Sequence, residues 1–447
     1  MLKKPKDRTS GVLLMMILSC SLATVLAQPK DNAPYSRFGL GESVDHALSA
    51  AGFAGLTAGY ADPLYVNLEN PASLGTLSAA TFEVGLVSEY SRLDNRSQQA
   101  AFWTGNLNHL VLAFPVFNRL NDALLKKKRE HFWGMSIALV PQTNIGYDVE
   151  SVTVDPVVDT VRNIFRGTGG TSRLVWGNGW RYKRLSAGFN LSYLFGQLES
   201  ERIVRFPELS ASYSDRFLDN ISVRGFTWDL GLQYRFDFDE AEKGAPVYLG
   251  RSLVVGVFGN SATGFSNSAT VYRIGEYMTP SEVVLSADTV YREIERRSDG
   301  TLPASLRIGL MYQRLGKYRI GVEYGFEAWS QYENEAKPDM LRDSRRLAAG
   351  IEYIPDIGSY NNYLRRIRYR AGFYHRTDPR LQDLSRFALT LGLGLPLILP
   401  RQQTSFVNLA LEVGRYDTPS SLQETFLKIA LGFSLNDNSW FFKRRFG

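Results

Sequence analysis

The sequence predicts an all-β fold, a transmembrane antiparallel β-barrel of about 14 strands with an N-terminal hatch or plug segment. Three observations carry this. Short segments alternate strictly between apolar and small or polar residues. No apolar run of 18 or more residues follows position 27, so no later helix is long enough to span a bilayer. The chain also opens with an export signal.

That signal occupies residues 1–27. Lys3, Lys4, Lys6 and Arg8 precede an apolar run over 11–26, and Val25-Leu26-Ala27 presents small residues to a signal peptidase, so Gln28 would follow cleavage after Ala27. A retained anchor is disfavoured because a spanning helix needs about 20 apolar residues. The single cysteine, Cys20, lies inside this run. Its reading as a lipidated first residue fits poorly, since Leu18 stands where a small residue is wanted and the apolar run continues to Leu26. The exported chain then holds no cysteine, which excludes disulfides and thiolate metal sites.

The strand signal is period two. LRIGLMY sets Leu306, Ile308, Leu310 and Tyr312 against Arg307, Gly309 and Met311. YRIGVEY sets Tyr318, Ile320, Val322 and Tyr324 against Arg319, Gly321 and Glu323, and LAAGIEY puts Glu352 on its polar face. LTLGLGL and LKIALGF repeat the pattern at 389–395 and 427–433. A soluble sandwich also has one apolar face. Here the apolar faces end in Tyr and Phe like membrane girdles, the opposite faces carry Arg, Glu, Lys and Gly, and closure removes the free edges of so large a sheet. Strand starts fall near 81, 106, 132, 185, 199, 221, 250, 305, 317, 345, 367, 384, 404 and 424, with 170–182 open between strand and short helix. The stretches 261–303 and 329–344 read as outer loops, 118–131 as a basic turn or headgroup contact, and the aromatic end at 440–442 as part of the closing strand. The divisions are 1–27 signal, 28–80 hatch or plug, and 81–447 barrel.

Residues 28–80 do not alternate. They are glycine-rich and apolar, unlike a disordered tail, and are expected to fill the lumen. They end in YVNLENPASL at 65–74. Asn70-Pro71-Ala72, ahead of the first strand, resembles the NPA motif of the long-chain fatty-acid transporter (FadL) superfamily of outer-membrane proteins. Leu302-Pro303 before LRIGLMY and GLGLPL at 392–397 match the same superfamily, and the combination of YSRFGLG at 35–41 with WFFKR at 440–444 is similar to FadL-like barrels of Bacteroidetes. The resemblance implies a fourteen-stranded barrel in the outer membrane, a hatch containing Asn70, Pro71 and Ala72, and lateral passage of hydrophobic molecules through a gap in the wall. Outer-membrane lipids and a hydrophobic small molecule would be its partners. No acyl-chain pocket can be placed residue by residue, and relatives in the superfamily also serve as accessory barrels of the type IX secretion system. That makes a structural or accessory barrel holding a secretion-system or surface protein the alternative. Read from the residues alone, Asn70 and Pro71 pin a tight turn in the lumen or cap the entry to the first strand, and both can hold.

Other classes lack support. The charge of +6 overstates the basicity, because the signal holds four basic residues against Asp7 alone and leaves 47 basic to 44 acidic. No basic cluster alternates with exposed aromatics, so nucleic acid is set aside. His46, His109, His131 and His375 are scattered without metal spacing, and no GxSxG, Walker or GxGxxG motif occurs, so neither an enzyme nor a cofactor is expected. A hydrolase built on His375 would need a serine within reach. Glu323, Glu352, Arg307 and Arg319 fall on polar faces and read as a lumen charge network.

Overall fold

The computed structural model describes residues 33–437 except 47, 96–97, 118–121, 123–128, 158, 210–211, 240–249, 280–282, 400–402 and 419–421. The signal with its cleavage point at Ala27 and Gln28, most of the basic 118–131 stretch, and residues 440–442 lie outside the described residues.

Alternation becomes strand throughout. The long strands are β1 (Ala80–Asn95), β2 (Gln98–Pro115), β3 (His131–Asp155), β4 (Asp159–Tyr182), β5 (Leu185–Arg205), β6 (Ser212–Asp237), β7 (Arg251–Asn260), β8 (Thr263–Met278), β9 (Val284–Leu302), β10 (Ser305–Arg314), β11 (Tyr318–Glu327), β12 (Ser344–Tyr353), β13 (Arg368–Thr377), β14 (Ser385–Leu399), β15 (Gln403–Asp417) and β16 (Gln423–Asp437). β7 runs on into β8, and β9 into β10, across short breaks at 261–262 and 303–304. The inner parts β7 and β10 pair with each other, while β8 and β9 form a hairpin beyond the wall on the edge of β6. β16 pairs back to β1 from Gln423↔Asp94 to Asp437↔Ala80, closing an antiparallel barrel of 14 strands.

The side chains sort as the period demands. On β10, Leu306, Ile308 and Leu310 point outward and are 44–46% exposed, while Met311 is buried inward. Apolar residues left exposed in alternation all round a closed wall make a surface whose natural solvent is hydrocarbon.

Two expectations need correction, although the strand total agrees. The starts placed at 185 and 199 belong to one strand, β5, and the ambiguous 170–182 is the second half of β4. The errors cancel in the count. Gly169 and Gly170, both at positive φ, interrupt the alternation inside β4 and disguise it as a loop, and a bulge lies across the pairing at Pro141/Thr143. The second correction is that 261–303 is mostly the β8–β9 hairpin rather than loop. Among the described residues the far end of the barrel is lengthened by strands. The connection 354–367 lies at the near end, where β1 begins and β16 finishes.

The segment 33–79 lies inside this wall. Its Gly52 packs on Gly392 of β14, Gly59 on Met311 of β10, Leu74 on Gly134 of β3 and Pro71 on Gly188 of β5, so it touches the wall on all sides. Tyr35, Phe53, Leu56, Tyr60 and Tyr65 form the main apolar cluster with wall residues that include Tyr374, Phe406 and Phe426.

Candidate functional site

The turn at Asn70 is built from side-chain to backbone bonds. Asn67 donates through Nδ2 to the carbonyls of Thr57 (2.8 Å) and Tyr60 (2.9 Å), and its Oδ1 accepts from the Glu69 and Asn70 amides. Asn70 caps a 3₁₀ helix, Pro71–Thr76, accepting from the Ala72 amide at 3.1 Å, and Pro71 supplies the fixed φ at its first position. Asn70 Nδ2 also donates to Ala58 O at 2.7 Å. This fully buried side chain thus ties together two different stretches of the segment. Wall glycines seat the turn. A Cβ at Gly231 would lie 2.1 Å from Asn70 Oδ1, and one at Gly188 would lie 2.4 Å from the Pro71 carbonyl carbon.

A buried charge cluster holds the same segment to the opposite wall. Asp62 Oδ2 accepts from Arg319 Nη2 at 2.6 Å and from Arg368 Nη1 at 2.8 Å. Glu352 accepts from Arg319 Nη1 at 2.5 Å and Arg370 Nε at 2.8 Å. Arg370 and Tyr65 both donate to Asn408 Oδ1. A second clamp lies nearby, where Glu323 Oε2 accepts from the amides of Thr57 and Ala58, each at 2.7 Å, while Oε1 takes Arg346 at 3.2 Å. The expected grouping of Arg319 with Glu352 therefore stands in the lumen, but Glu323 pairs with Arg346, and Arg307 pairs with Glu327 at 3.4 Å. Asp62, Arg368 and Arg370 escaped sequence reading. The spacing of the two arginines in RRIRYR, two apart and so on one strand face, was the available signal.

Burial alone would raise the pKa of Asp62, but the Arg368 and Arg319 guanidiniums outweigh it and hold the carboxyl below the usual carboxylate range. A lowered folded-state pKa contributes stability that is complete above the unfolded value and is lost as pH falls through the folded one. Protease protection of 33–79 in the intact barrel should therefore be flat from about pH 8 to about pH 5 and fall only in stronger acid. Loss of protection near neutrality would show that this carboxylate does not hold the segment.

The wall itself is incomplete at one seam. Among the described residues β2 and β3 pair only from Leu110↔Leu139 to Pro115↔Gly134. Beyond that, 98–109 pairs with β1 alone, and β3 continues on the β4 side. Bulges sit beside the parting on both strands. Between Gly85 and Leu86 the register shifts so that Asn108 and His109 are both buried inward, and Gln142 is the unpaired residue between Pro141 and Thr143. The N-terminal segment occupies the seam. Glu42 and Ser43 pair with Asn144 and Thr143, the Val44 amide donates to Gln142 O at 3.1 Å, and the Ala33 amide donates to Gly146 O at 2.8 Å. From the other lip, Asn108 Nδ2 donates to Asp45 O at 2.8 Å. Behind these residues lies a cavity of about 150 Å³ lined by Asp45, His46, Glu69, Arg173, Asp229 and Arg307 among others.

Closure brings two of the four histidines near each other at the seam, since His46 bonds the Asn108 backbone and lies within electrostatic reach of His109. His46 is in the lumen segment, His109 is on β2 at 3.8 Å from Glu83, and His131 stacks on Tyr182. His375 lies on the exposed outward face of β13. Among the described residues no group of three or more His, Cys, Asp or Glu side chains could hold a metal.

A closed fourteen-stranded barrel with its own N-terminal segment threaded through the lumen and a parted seam in the wall has the fold of FadL-type barrels. Solved structures share that fold. The Pseudomonas putida toluene transporter TodX matches with a TM-score of 0.55 at 15% identity, over 89% of this chain and 99% of its own. The Ralstonia pickettii toluene transporter TbuX matches with a TM-score of 0.52 at 14% identity, over 90% and 100%. A Pseudomonas aeruginosa FadL homologue matches with a TM-score of 0.52 at 10% identity, over 89% and 99%. Comparison with curated proteins gave no match. The chain belongs to the BamG family, whose model matches residues 9–447.

Proposed function

We propose that this protein is an outer-membrane barrel that passes small hydrophobic molecules through the seam between β2 and β3, with 33–79 acting as the hatch and the Asn70-Pro71-Ala72 turn as its anchor. The observation that carries the reading is the seam. Two wall strands part after a short run of pairing, both are bulged at that point, and the opening is filled by hatch backbone rather than by a neighbouring strand. Exchanging a few hatch hydrogen bonds for water costs far less than unzipping a wall ladder. The two toluene transporters supply the analogy for the cargo class, at the level of fold. Passage would be driven by the molecule's own gradient and its preference for the bilayer.

The test is a cross-link. Ser43→Cys and Thr143→Cys face each other across the seam, in a barrel without other cysteines beyond the signal. Paired strand residues lie within the Cα separation that a disulfide spans. Oxidation should stop toluene entry into vesicles carrying the variant, and reduction should restore it. Equal entry in both states would sink lateral passage through this seam.

A second reading, an accessory barrel whose plug stays in place, is favoured by the clamps. Two buried contacts join Asp62 of the segment to Arg319 and Arg368 of the wall, Glu352 of the wall completes the cluster through Arg319 and Arg370, and the cavity behind the seam is small and charged. On that reading the locked and unlocked barrels behave alike, and a protein partner copurifies with both.

A further inference from the structure

The cavity behind the seam is built of polar groups that the protein leaves unused. Its arginines are largely engaged, although Arg173 Nε is a buried donor without a partner. Arg307 and Arg376 share Glu327, at 3.4 and 3.0 Å, and Arg173 faces Asp229 at 3.7 Å. Two of its carboxylates are not. Asp45 and Glu69 line the same space with no direct ion pair among the described residues, and Arg376, Arg346, Lys428 and Arg307 act on Asp45, as Arg307 and Glu69 act on each other, only at longer range. The lining thus carries four carboxylates against three guanidiniums. His46 does not make up the difference, since burial outweighs the pull of Glu69 and pushes its pKa down to about 4, leaving it neutral near pH 7.

The neutral groups point the same way. Asn190 is 2% exposed, and its Nδ2 donates to Leu68 O at 2.7 Å while its Oδ1 has no partner. Gln142, turned out of the β3 ladder by its bulge, leaves its Oε1 without a partner on the same lining. Thr227, 5% exposed, has an equally unengaged hydroxyl. Buried acceptors left open cost free energy unless something donates to them. Two carboxylates and two amide oxygens together ask for a compact group with several donors and a positive charge.

We propose that this chamber binds an ammonium group, that of a small free amine or of an aminophospholipid headgroup reached through the seam, with Glu69 and Asp45 as its charged acceptors and Gln142 and Asn190 as its neutral ones. A space of about 150 Å³ accepts a molecule of roughly benzene size. Ethanolammonium fits, and an acyl chain does not. Glu69 lies immediately before the Asn70 turn, so the turn also places this carboxylate. The site stands whether or not the seam passes a molecule.

The full-length barrel in detergent, titrated with ethanolammonium chloride by calorimetry, should bind it saturably. Glu69→Gln, an isosteric change, should weaken binding about tenfold or more, as expected for losing one charge-assisted contact. Glu150→Gln, on the exposed far end beside Arg162, should leave it unchanged. Retention of the heat-modifiable folded band on gels shows that each variant is intact, and Asp45→Asn provides a second test should Glu69→Gln fail to fold. Native mass spectrometry after reconstitution in phosphatidylethanolamine or phosphatidylglycerol nanodiscs separates the sources. Retained phosphatidylethanolamine displaced by ethanolammonium identifies a headgroup site, and saturable ethanolammonium binding with no lipid retained identifies a free-amine site. No binding, binding indifferent to both variants, or preferential binding of acetate or phosphate would overturn the assignment. The toluene-entry assay on the cross-linked barrel is independent of all these readouts.

Discussion

Replacing Asp62 by Asn should loosen the lumen segment more than any other single change. In the native cluster three guanidiniums, Arg319, Arg368 and Arg370, share two carboxylates, Asp62 and Glu352, all of them buried. Removing one carboxylate leaves three cations to Glu352 alone. Arg368 then keeps a single ionic contact, 3.9 Å to Glu352, beside the rings of Tyr65 and Phe406. Stripping one partner from a buried ion pair costs about 3–5 kcal/mol, because the remaining charge cannot recover its hydration. The hold on the segment should therefore fall roughly a hundredfold or more. In planar bilayers the native barrel should be nearly silent and D62N should show frequent large openings. Gel mobility should confirm that the wall remains closed, since the strand ladders do not use Asp62. A silent D62N barrel would mean that packing and the Glu323 clamp hold the segment without the cluster.

The second large effect should come from Gly188→Ala on β5. The new methyl would lie 2.4 Å from the Pro71 carbonyl carbon and 2.7 Å from the Ala72 nitrogen, both main-chain atoms of a capped turn that has no room to swing away. Overpacking of this kind costs about 1–3 kcal/mol and is relieved only by lifting the turn. Lifting it breaks the Asn70 bond to Ala58 and carries Glu69 with it. G188A should therefore increase protease cleavage within 33–79 and lower the melting temperature. Gly264→Ala on the β8–β9 hairpin, whose Cβ meets nothing nearer than 3.9 Å, should change neither. Equal behaviour of the two variants would show that the turn is not seated against β5.

Much of this architecture was legible in the order of residues. A barrel wall meets hydrocarbon on one side and packed polar groups on the other, so the period-two pattern of β10, β11 and β12 states both the strand and its two environments. The non-alternating stretch ahead of β1 was recognisable because it breaks that period while remaining apolar and rich in glycine. The pattern failed where local chemistry interrupts the alternation. Gly169 and Gly170 split β4, and the charged, exposed strand β9 resembles a loop because both its faces leave the bilayer and the lumen.

The clamps and the seam belong to another level. Asp62 reads as an ordinary turn aspartate before Pro63, and its partners lie 257 and 306 residues away. Nothing local brings them together. Only closure of the barrel, which returns β16 to β1 and wraps the wall around the segment, sets those charges in one buried place. The seam is also a property of the assembly. Bulges at Asn108 and Gln142 depend on which residue of a neighbouring strand each one faces, and register is fixed by pairing rather than by either strand alone. Residue order settles the solvent that each strand face meets, and with it the barrel. Where the wall parts and what holds the lumen shut are settled only on closure, because both depend on contacts between strands and segments that pairing alone brings together.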